Sequence, residues 1–358
     1  MMQLFQNIGL TKGYRKYFEY LPLRQTFAEA IEQFLDTRYG APHILAPVSS
    51  GDSDAFCTNG NDKYLQRLWA REHGLQTIDL DQILLAQIEN HRTDVFYNLD
   101  PMRYGSSFVR KLPGCVKTTM CWRAAPSGNV DLTGYNLVVC NFPSILDDWR
   151  QKGCKAEYFF PAHDPAMDPY AEAHTDDLDL IFIGGFSRHH VNRSLALKAA
   201  ASTPGVSKRF HLEDSRLIRL ANLLPSIPGL GSYQHPREIR AVRAGPLYGR
   251  DLYRALAGAR IVLNGAVDMA GEDRGNMRCF EATGCGAVLL TDSGCYPEGF
   301  VDDESMVTYS SADQIPELIK RLIEDASWGN SIAKAGCAMV RDRYSKERQW
   351  ARFQELLC

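Results

Sequence analysis

Short apolar runs alternate with helix-patterned segments along this chain, and the alternation limits the possible fold more than any other feature. Runs such as 178–183, 259–263 and 287–290 are rich in Leu, Ile and Val, as buried strands are. Segment 313–324 instead places Ile and Leu at helical spacing. Strands that alternate with helices predict a parallel sheet with helices on its faces. The sequence therefore predicts an α/β protein.

The 358 residues exceed what one hydrophobic core usually serves, so we expect two domains. Segment 167–177 is rich in Pro and acidic residues and is typical of a linker. We predict one Rossmann-like domain over 1–166, a second over 178–335, and a helical tail over 336–358. Less regular runs predict further strands over 43–48, 76–80 and 238–244, and a loop over 11–14.

Composition excludes several classes of function. The net charge of −3 argues against a nucleic-acid-binding protein, because such proteins usually carry a basic surface. No apolar run reaches the roughly 18 residues that a membrane span needs. No signal peptide is evident, so we expect a cytoplasmic protein with its ten cysteines reduced. The cysteines and histidines lack the spacing of zinc ligands, so we expect no metal.

The stretch 271–292 carries the strongest indication of a binding site. It comprises a Gly-flanked acidic loop, a short helix predicted to begin near Arg274, a Gly-rich stop and a buried strand. The unpaired N–H groups at a helix N-terminus attract phosphate. Glu281 lies about two turns further along, within reach of a ligand beside the helix. Asp273 is a candidate cap for the same helix.

Two other loops follow predicted strands. Gly184 and Gly185 form a predicted turn, followed by Arg188 and Arg193 as candidate phosphate contacts. Ligands of parallel sheets bind beyond the carboxyl ends of strands, where a nucleobase could also rest. For the base we consider the loop residues Pro246, Leu247 and Tyr248.

The segment from Asn276 to Asp292 resembles the C-terminal domain of CgeB-like (spore maturation protein B-like) glycosyltransferases. Segments 179–185, 259–264 and 333–357 support the resemblance, which covers about residues 135–358. It implies the GT-B fold, with two Rossmann-like domains whose parallel sheets face a cleft and a C-terminal helix that crosses back to the first domain. It also implies retaining, metal-independent transfer of a hexose from a nucleotide sugar, with no dedicated protein base.

The resemblance also implies roles for individual residues. Asp273 and Glu281 match the family's paired acids, which have seven residues between them. The first acid of that pair contacts the donor sugar and the second contacts the ribose. Glu272 lies beside Asp273, so either carboxylate could face the sugar. The predicted catalytic residues are Asp273, Glu272 and Arg278, and the predicted donor-binding residues are Glu281, Arg274, Asn276, Gly184, Gly185, Arg188, Arg193, Pro246, Leu247 and Tyr248.

We therefore expect a glycosyltransferase that moves a sugar from a UDP- or GDP-sugar to a glycan, protein or small-molecule acceptor that the sequence does not identify. One alternative is a nucleotide-sugar epimerase on the same frame. Another is a catalytically silent module that binds a sugar or a protein. A nicotinamide dehydrogenase is disfavoured because no G-x-G-x-x-G follows a predicted strand.

Overall fold

The chain forms two compact units in a computed structural model that describes residues 2–19, 21, 23–186, 191–214, 216–223, 233–265 and 268–358. Unit 1 comprises Met1–Ala162, Met269–Asp273 and Lys346–Cys358. Unit 2 comprises His163–Asp268 and Arg274–Ser345. The domain boundaries drawn from the sequence stay a prediction. No helix within the described ranges is both long and apolar enough to cross a bilayer.

Each unit is built on one parallel sheet, and six strands of each lie within the described residues. In unit 1 the strands are β1 (Leu4–Asn7), β2 (Ala55–Thr58), β3 (Val95–Asn98), β4 (Thr118–Trp122), β5 (Leu137–Cys140) and β6 (Ala156–Tyr158). In unit 2 they are β7 (Leu178–Gly185), β8 (Lys208–Glu213), β9 (Arg243–Ala244), β10 (Ala259–Leu263), β11 (Val288–Asp292) and β12 (Val307–Tyr309).

Helices connect the strands, as the parallel arrangement requires. In chain order the α-helices of the described residues are α1 (Lys12–Tyr17), α2 (Phe27–Asp36), α3 (Ala46–Ser50), α4 (Lys63–Glu72), α5 (Leu80–Asn90), α6 (Ser106–Val109), α7 (Pro143–Gln151), α8 (Asp168–Glu172), α9 (Val191–Ser202), α10 (Arg216–Leu223), α11 (Arg237–Val242), α12 (Gly249–Ala257), α13 (Met277–Gly284), α14 (Ile315–Glu324), α15 (Ala326–Arg343) and α16 (Lys346–Glu355). The last of these belongs to unit 1.

The strand orders locate the places where each sheet can bind a ligand. Unit 1 has the order β2-β1-β3-β4-β5-β6, so the direction of winding reverses between β1 and β3. Unit 2 has the order β12-β11-β10-β7-β8-β9, so it reverses between β7 and β10. At such a switch point the connecting loops diverge to opposite faces and leave a crevice at the carboxyl ends of the strands. In unit 2 the crevice lies at the loops after β7 and β10.

Apolar side chains fill both faces of each sheet. In unit 1, Phe5, Phe96 and Val138 pack in one buried cluster with Trp149 of α7. In unit 2, residues of β7, β8, β10 and β11 form a comparable cluster that α9 and α14 cover. All ten cysteines are unpaired, and seven of them are buried. The predicted α/β class and parallel sheets are confirmed.

Several sequence-based elements are wrong. Segment 43–48 is not a strand: a 3₁₀ helix, Ala41–His43, leads into α3, whose second residue is Pro47. Segment 76–80 forms no strand, and 238–244 is mostly α11 with a two-residue strand after it. The predicted loop 11–14 begins α1. Short apolar runs lack the length over which a period of 2 and one of 3.6 can be distinguished.

Candidate functional site

The chain approaches α13 through a bend that is fixed on both sides. The backbone N–H of Arg274 donates to the carbonyl of Cys295 at 2.8 Å, and the Arg274 guanidinium lies 2.6 Å from Asp292 at the end of β11. Gly275 is buried with φ of 103°, a conformation that side chains disfavour. The helix consequently begins at Met277, so the predicted start near Arg274 is wrong by about one turn.

A buried polar network holds the start of α13 against the sheet. The amide of Asn276 donates to Asn264 Oδ1 at 3.2 Å, and Asn264 Nδ2 donates to Thr291 Oγ1 at 3.2 Å. Tyr309 donates its hydroxyl to the Asn264 carbonyl at 2.9 Å. Asn276 is the N-cap residue, yet its side chain accepts no hydrogen bond from a backbone N–H of the helix, and its Oδ1 accepts instead from the thiol of Cys279 at 3.7 Å. Among the described side chains, none caps the first N–H groups of α13.

Glu281 and Arg278 form a buried ion pair on α13. Arg278 Nη1 lies 2.5 Å from Glu281 Oε2, with the two side chains 15% and 5% exposed. Arg278 Nε also donates to the Ile183 carbonyl of β7 at 3.3 Å. Burial raises the pKa of Glu281, Arg278 opposes the rise, and the negative charge of Asp164 adds to it. The predicted nucleotide contact therefore already has a partner inside unit 2.

Close packing against α15 fixes the position of α13. A Cβ on Gly336 of α15 would lie 2.6 Å from Thr283 Cγ2 and 2.5 Å from the Ser305 carbonyl oxygen. A Cβ on Gly284 would lie 2.7 Å from Met167 Sδ. The backbone contact at Gly336 leaves no room for a side chain there, and these contacts fix the C-terminal end of α13.

Glu272 and Asp273 differ sharply in their surroundings within unit 1. Asp273 Oδ2 accepts a hydrogen bond from the backbone N–H of Ser144, in the first turn of α7, at 2.6 Å. The Ser144 hydroxyl donates to the Ala270 carbonyl at 3.0 Å. Glu272 is exposed. The hypothesis that Asp273 caps the helix that follows it in sequence is wrong, because its carboxylate caps α7 instead.

The loop after β7 is described only in part. Gly184 and Gly185 do not form the predicted turn: they are the last residues of β7 and pair with Leu212 and Glu213 of β8. Arg188 lies outside the described residues, as do the neighbouring histidines 189 and 190. Arg193, in the first turn of α9, donates from Nη2 to the carbonyl of Gly265 at 2.9 Å, which places its guanidinium beside the loop after β10.

The loop predicted to contact a nucleobase connects β9 to α12. Pro246, Leu247 and Tyr248 are each half-buried, and Tyr248 is the N-cap residue of α12 with an extended backbone. The preceding carbonyl, of Gly245, bonds with Nδ1 of His211 on β8 at 2.6 Å. These three residues therefore follow the edge strand β9 at the carboxyl edge of the sheet.

The structure adds a polar cluster around the buried side chains of Asp214 and His235 that could not be predicted from the sequence. Asp214 directly follows β8 and bonds with Nε2 of His235 at 2.8 Å. Nη2 of Arg243 lies 2.5 Å from the other oxygen of Asp214. The ring centroid of His235 lies 4.6 Å from that of Phe186, which follows β7. β8 could not be recognised from the sequence because Lys208–Glu213 mixes charged and apolar residues. Had the strand been recognised, the acid directly after it, Asp214, would have indicated a polar group at the carboxyl edge of the sheet.

A metal site is not evident in the part of the chain that the structure describes, since no group of three or more His, Cys, Asp or Glu side chains could hold an ion there. The polar groups at the edge of unit 2 include the carboxylates of Asp214, Glu281 and Asp292, each paired with an arginine. Arginines, amides and helix N–H groups at this edge are groups that bind anions directly.

Part of this chain matches a known protein family, and its fold matches solved structures. Residues 193–355, which include α13 and the bend before it, match a family model described as glycosyl transferase-like. No curated protein matches the chain in sequence. A crystal structure of Anabaena HepE in complex with UDP-glucose is similar over 100% of this chain and 99% of its own, with a TM-score of 0.59 and 14% identity. The chain has the GT-B fold.

A second solved structure agrees on the fold. A glycosyltransferase from Rickettsia africae is similar over 99% of this chain and 97% of its own, with a TM-score of 0.53 and 9% identity. HepE has also been crystallised with UDP and glucose, again with a TM-score of 0.59 to this chain. The family match and the GT-B fold together support a glycosyltransferase function. They identify neither the CgeB-like branch nor any site residue.

Proposed function

We propose that this protein is a glycosyltransferase of the CgeB-like kind that moves a hexose from a UDP- or GDP-sugar to an acceptor, with retention and without a metal. The observation that carries the proposal is the start of α13. It lies at the switch point of unit 2, within the segment that matches the glycosyl transferase-like family, and no described side chain caps it. A helix N-terminus in that position is suited to a phosphate group.

The donor diphosphate would bind at this helix end. Arg193 supplies a guanidinium beside Gly265, which follows Asn264, the residue that contacts Asn276 at the start of the helix. Arg274 and Arg278 lie in ion pairs with Asp292 and Glu281, so they contribute charge near the site while holding their own partners. Fixed N–H groups and guanidinium groups stabilise the charge that develops on a leaving diphosphate. This is the role that we assign to them.

The nucleoside would lie along the edge of the same sheet. By resemblance, Glu281 contacts the ribose, and Pro246, Leu247 and Tyr248 contact the base. Binding at Glu281 requires the ribose hydroxyls to share or displace its contact with Arg278, which lies at 2.5 Å. UDP is our first candidate nucleotide because HepE, which shares the fold, was crystallised with UDP-glucose and with UDP.

The proposed reaction exchanges one bond at the anomeric carbon. The bond between that carbon and the diphosphate oxygen breaks, and a bond to an acceptor oxygen forms on the same face of the sugar. The acceptor's proton passes to the departing diphosphate, so no protein base is required. Glu272 or Asp273 would contact the sugar hydroxyls, as the resemblance implies.

The test begins with nucleotide binding. We expect UDP or GDP to raise the melting temperature in the presence of EDTA, since a ligand that binds only the folded state stabilises it. AMP serves as the control nucleotide. The absence of a shift with every nucleoside diphosphate would contradict the proposal.

Turnover separates this function from its alternatives. A transferase releases nucleoside diphosphate from the nucleotide sugar in proportion to the acceptor added, and NMR of the product reports retention or inversion. An epimerase would convert the donor sugar without that release. A silent binding module would bind the nucleotide sugar and leave it unchanged in the presence of every acceptor.

A further inference from the structure

The N-cap residue of α13 is suited to cap the helix but does not. Asn is among the best N-cap residues, and the backbone of Asn276, with φ of −60° and ψ of 163°, is extended as a cap requires. Its side chain nevertheless accepts from no backbone N–H of the helix. Among the described residues, nothing accepts a hydrogen bond from the backbone N–H of Met277 or of Arg278. Other contacts must therefore hold the Asn276 side chain.

Asn264 and Cys279 hold that side chain in a closed ring of three hydrogen bonds. Asn276 Nδ2 donates to Asn264 Oδ1 at 3.2 Å, and Asn264 Nδ2 donates to Cys279 Sγ at 3.4 Å. The Cys279 thiol donates in turn to Asn276 Oδ1 at 3.7 Å. Each of the three side chains is both donor and acceptor, so the ring fixes the orientation of the Asn276 amide. The oxygen that would cap the helix is bonded to the thiol instead.

Asn264 is a fixed anchor for this ring because its backbone is also bonded to the sheet. Its N–H donates to the Leu290 carbonyl at 2.8 Å, and its carbonyl accepts from the Tyr309 hydroxyl at 2.9 Å. Its Nδ2 also donates to Thr291 Oγ1 at 3.2 Å. These contacts join the residue to β11 and β12. The Asn276 amide is therefore held by a group that cannot turn with it.

Cys279 can serve the ring only as a thiol, since a thiolate has no hydrogen to donate to Asn276. The side chain is buried in the first turn of α13. Burial raises the pKa of Cys279 to about 12, and the negative charge of Asp292 adds to the rise. The sulfur therefore stays protonated at neutral pH.

The turned side chain leaves the helix end available to an outside anion. A capping oxygen of Asn276 and a phosphate would compete for the same N–H groups. Without the cap, α13 forgoes the stability that an N-cap contributes. A helix that keeps a good cap residue turned away thus favours binding over its own stability.

We propose that Asn264 and Cys279 are positioning residues for the donor, because they hold the Asn276 side chain away from the helix end. The N–H groups of Met277 and Arg278 then stay open to the donor diphosphate. The inference rests on the proposed function in naming that anion. Asn264 and Cys279 act on the diphosphate only through Asn276.

Two substitutions of Asn276 separate capping from contact with the ligand. Serine is a good N-cap but is too short to reach Asn264, whereas glycine has no side chain and leaves the helix end open. In calorimetric titration of the full chain with UDP, Asn276→Ser should bind about fivefold more weakly than Asn276→Gly, which is the value of one N-cap. Equal affinity of the two variants, or weaker binding by Asn276→Gly, would overturn the proposal.

Substitutions of Cys279 test the ring itself. Cys279→Ala should weaken UDP binding by about fivefold, because the freed oxygen of Asn276 can accept from the helix. Cys279→Ser keeps a donor and an acceptor and should restore the affinity to within about twofold of wild type. Cys285→Ala is the matched control, since Cys285 is a buried cysteine at the other end of α13 and lies outside the ring. Equal UDP affinity of Cys279→Ala and Cys285→Ala would contradict the role of Cys279.

A double variant shows whether Asn264 acts through Asn276. Asn264→Leu should also weaken UDP binding by about fivefold, because the Asn276 amide loses its acceptor. Adding Asn276→Gly should restore the affinity, since no side chain is then left to cap the helix. A purely structural role of Asn264 predicts no such recovery, so weak binding that persists in the double variant would overturn the assignment.

Amide hydrogen exchange without nucleotide keeps this inference distinct from the proposed function. The Arg278 N–H should exchange about fivefold more slowly in Asn276→Ser and Cys279→Ala than in wild type, because a cap protects it. Unchanged exchange in both variants would overturn the inference even if UDP binds. If wild type binds no nucleoside diphosphate, the proposed function is overturned, and the exchange rates still decide whether the Asn276 side chain is held off the helix.

Discussion

The helices α7 of unit 1 and α13 of unit 2 begin in opposite ways. At α7 the carboxylate of Asp273 lies 2.6 Å from the backbone nitrogen of Ser144, so the protein's own anion occupies the helix N-terminus. At α13 the N-cap Asn276 turns its side chain to Asn264 instead. A helix N-terminus favours negative charge in either case. The difference indicates which end is structural and which is suited to a phosphate from outside.

A second helix end in unit 1 is also contacted by a charged side chain of the protein, here a positive one at the C-terminal end. The ammonium of Lys346 on α16 donates to the carbonyls of Ala41 and Ile44, each at 2.6 Å, at the end of the 3₁₀ helix. Unit 1 therefore satisfies helix ends with its own charged groups. In unit 2 the charges around α13 are instead paired beside the helix end, as in Arg274 with Asp292 and Arg278 with Glu281.

The largest effect is expected from breaking the pair beside α13. Arg278→Leu leaves Glu281 charged and buried without its partner, which should lower the free energy of unfolding by about 3–5 kcal/mol. The double variant Arg278→Leu with Glu281→Leu should recover most of that loss. Arg254→Leu is the control, because Arg254 and Asp251 form an exposed pair. Urea unfolding measures all three, and equal losses in the Arg278 and Arg254 variants would contradict the comparison.

Substitutions of the neighbouring acids Glu272 and Asp273 test whether the Asp273 carboxylate at the N-terminus of α7 has only a structural role. Asp273→Ala removes the cap of α7 and should lower the unfolding free energy by about 1 kcal/mol. With Asp273 used in this way, we expect Glu272 to contact the sugar, so Glu272→Gln should lower turnover by about a hundredfold without a change in melting temperature. If Asp273→Asn abolishes turnover at unchanged stability, the assignment of the two acids is reversed.

The pKa of His43, the last residue of the 3₁₀ helix in unit 1, depends on its burial and on the nearby charge of Lys346. Burial and the nearby Lys346 ammonium lower the pKa of His43 from 6.5 to about 3. A depressed pKa contributes stability that is present above pH 6.5 and is lost as the pH falls towards 3. From pH 7 to pH 5 this loss should be about 2 kcal/mol in wild type.

The matched variant for this pH dependence is His43→Gln, which cannot titrate. Between pH 7 and pH 5, the unfolding free energy of this variant should fall by about 2 kcal/mol less than that of wild type. Parallel pH profiles for the two proteins would show that the ring is protonated at similar pH in the folded and unfolded chains.

The last prediction concerns the proposed phosphate site itself. Arg193→Ala should weaken UDP binding by about tenfold, which is the value of one charge-assisted hydrogen bond. Lys198→Ala is the control, since Lys198 is exposed on the same helix α9. Calorimetric titration with UDP measures both, and an equal loss in the two variants would indicate a general effect of charge rather than a contact at α13.

The candidate site could be predicted only in part. The stretch 271–292 showed a helix followed by a buried strand, and α13 and β11 confirm both. The start of the helix could not be predicted, because the bend depends on contacts of Arg274 with residues some twenty positions away. β8 and the Asp214 cluster were missed, since a strand of mixed polarity has no clear period.

The sequence by itself determined the α/β class, the parallel sheets and the existence of α13, because hydrophobic periodicity is a local property of the chain. Tertiary structure decided the strand orders, and with them the switch point between β7 and β10. It also decided that Asp273 caps α7 and that Glu281 is paired with Arg278. Which hydrogen-bond partner a carboxylate takes depends on residues brought together by folding, and no local pattern in the sequence specifies them.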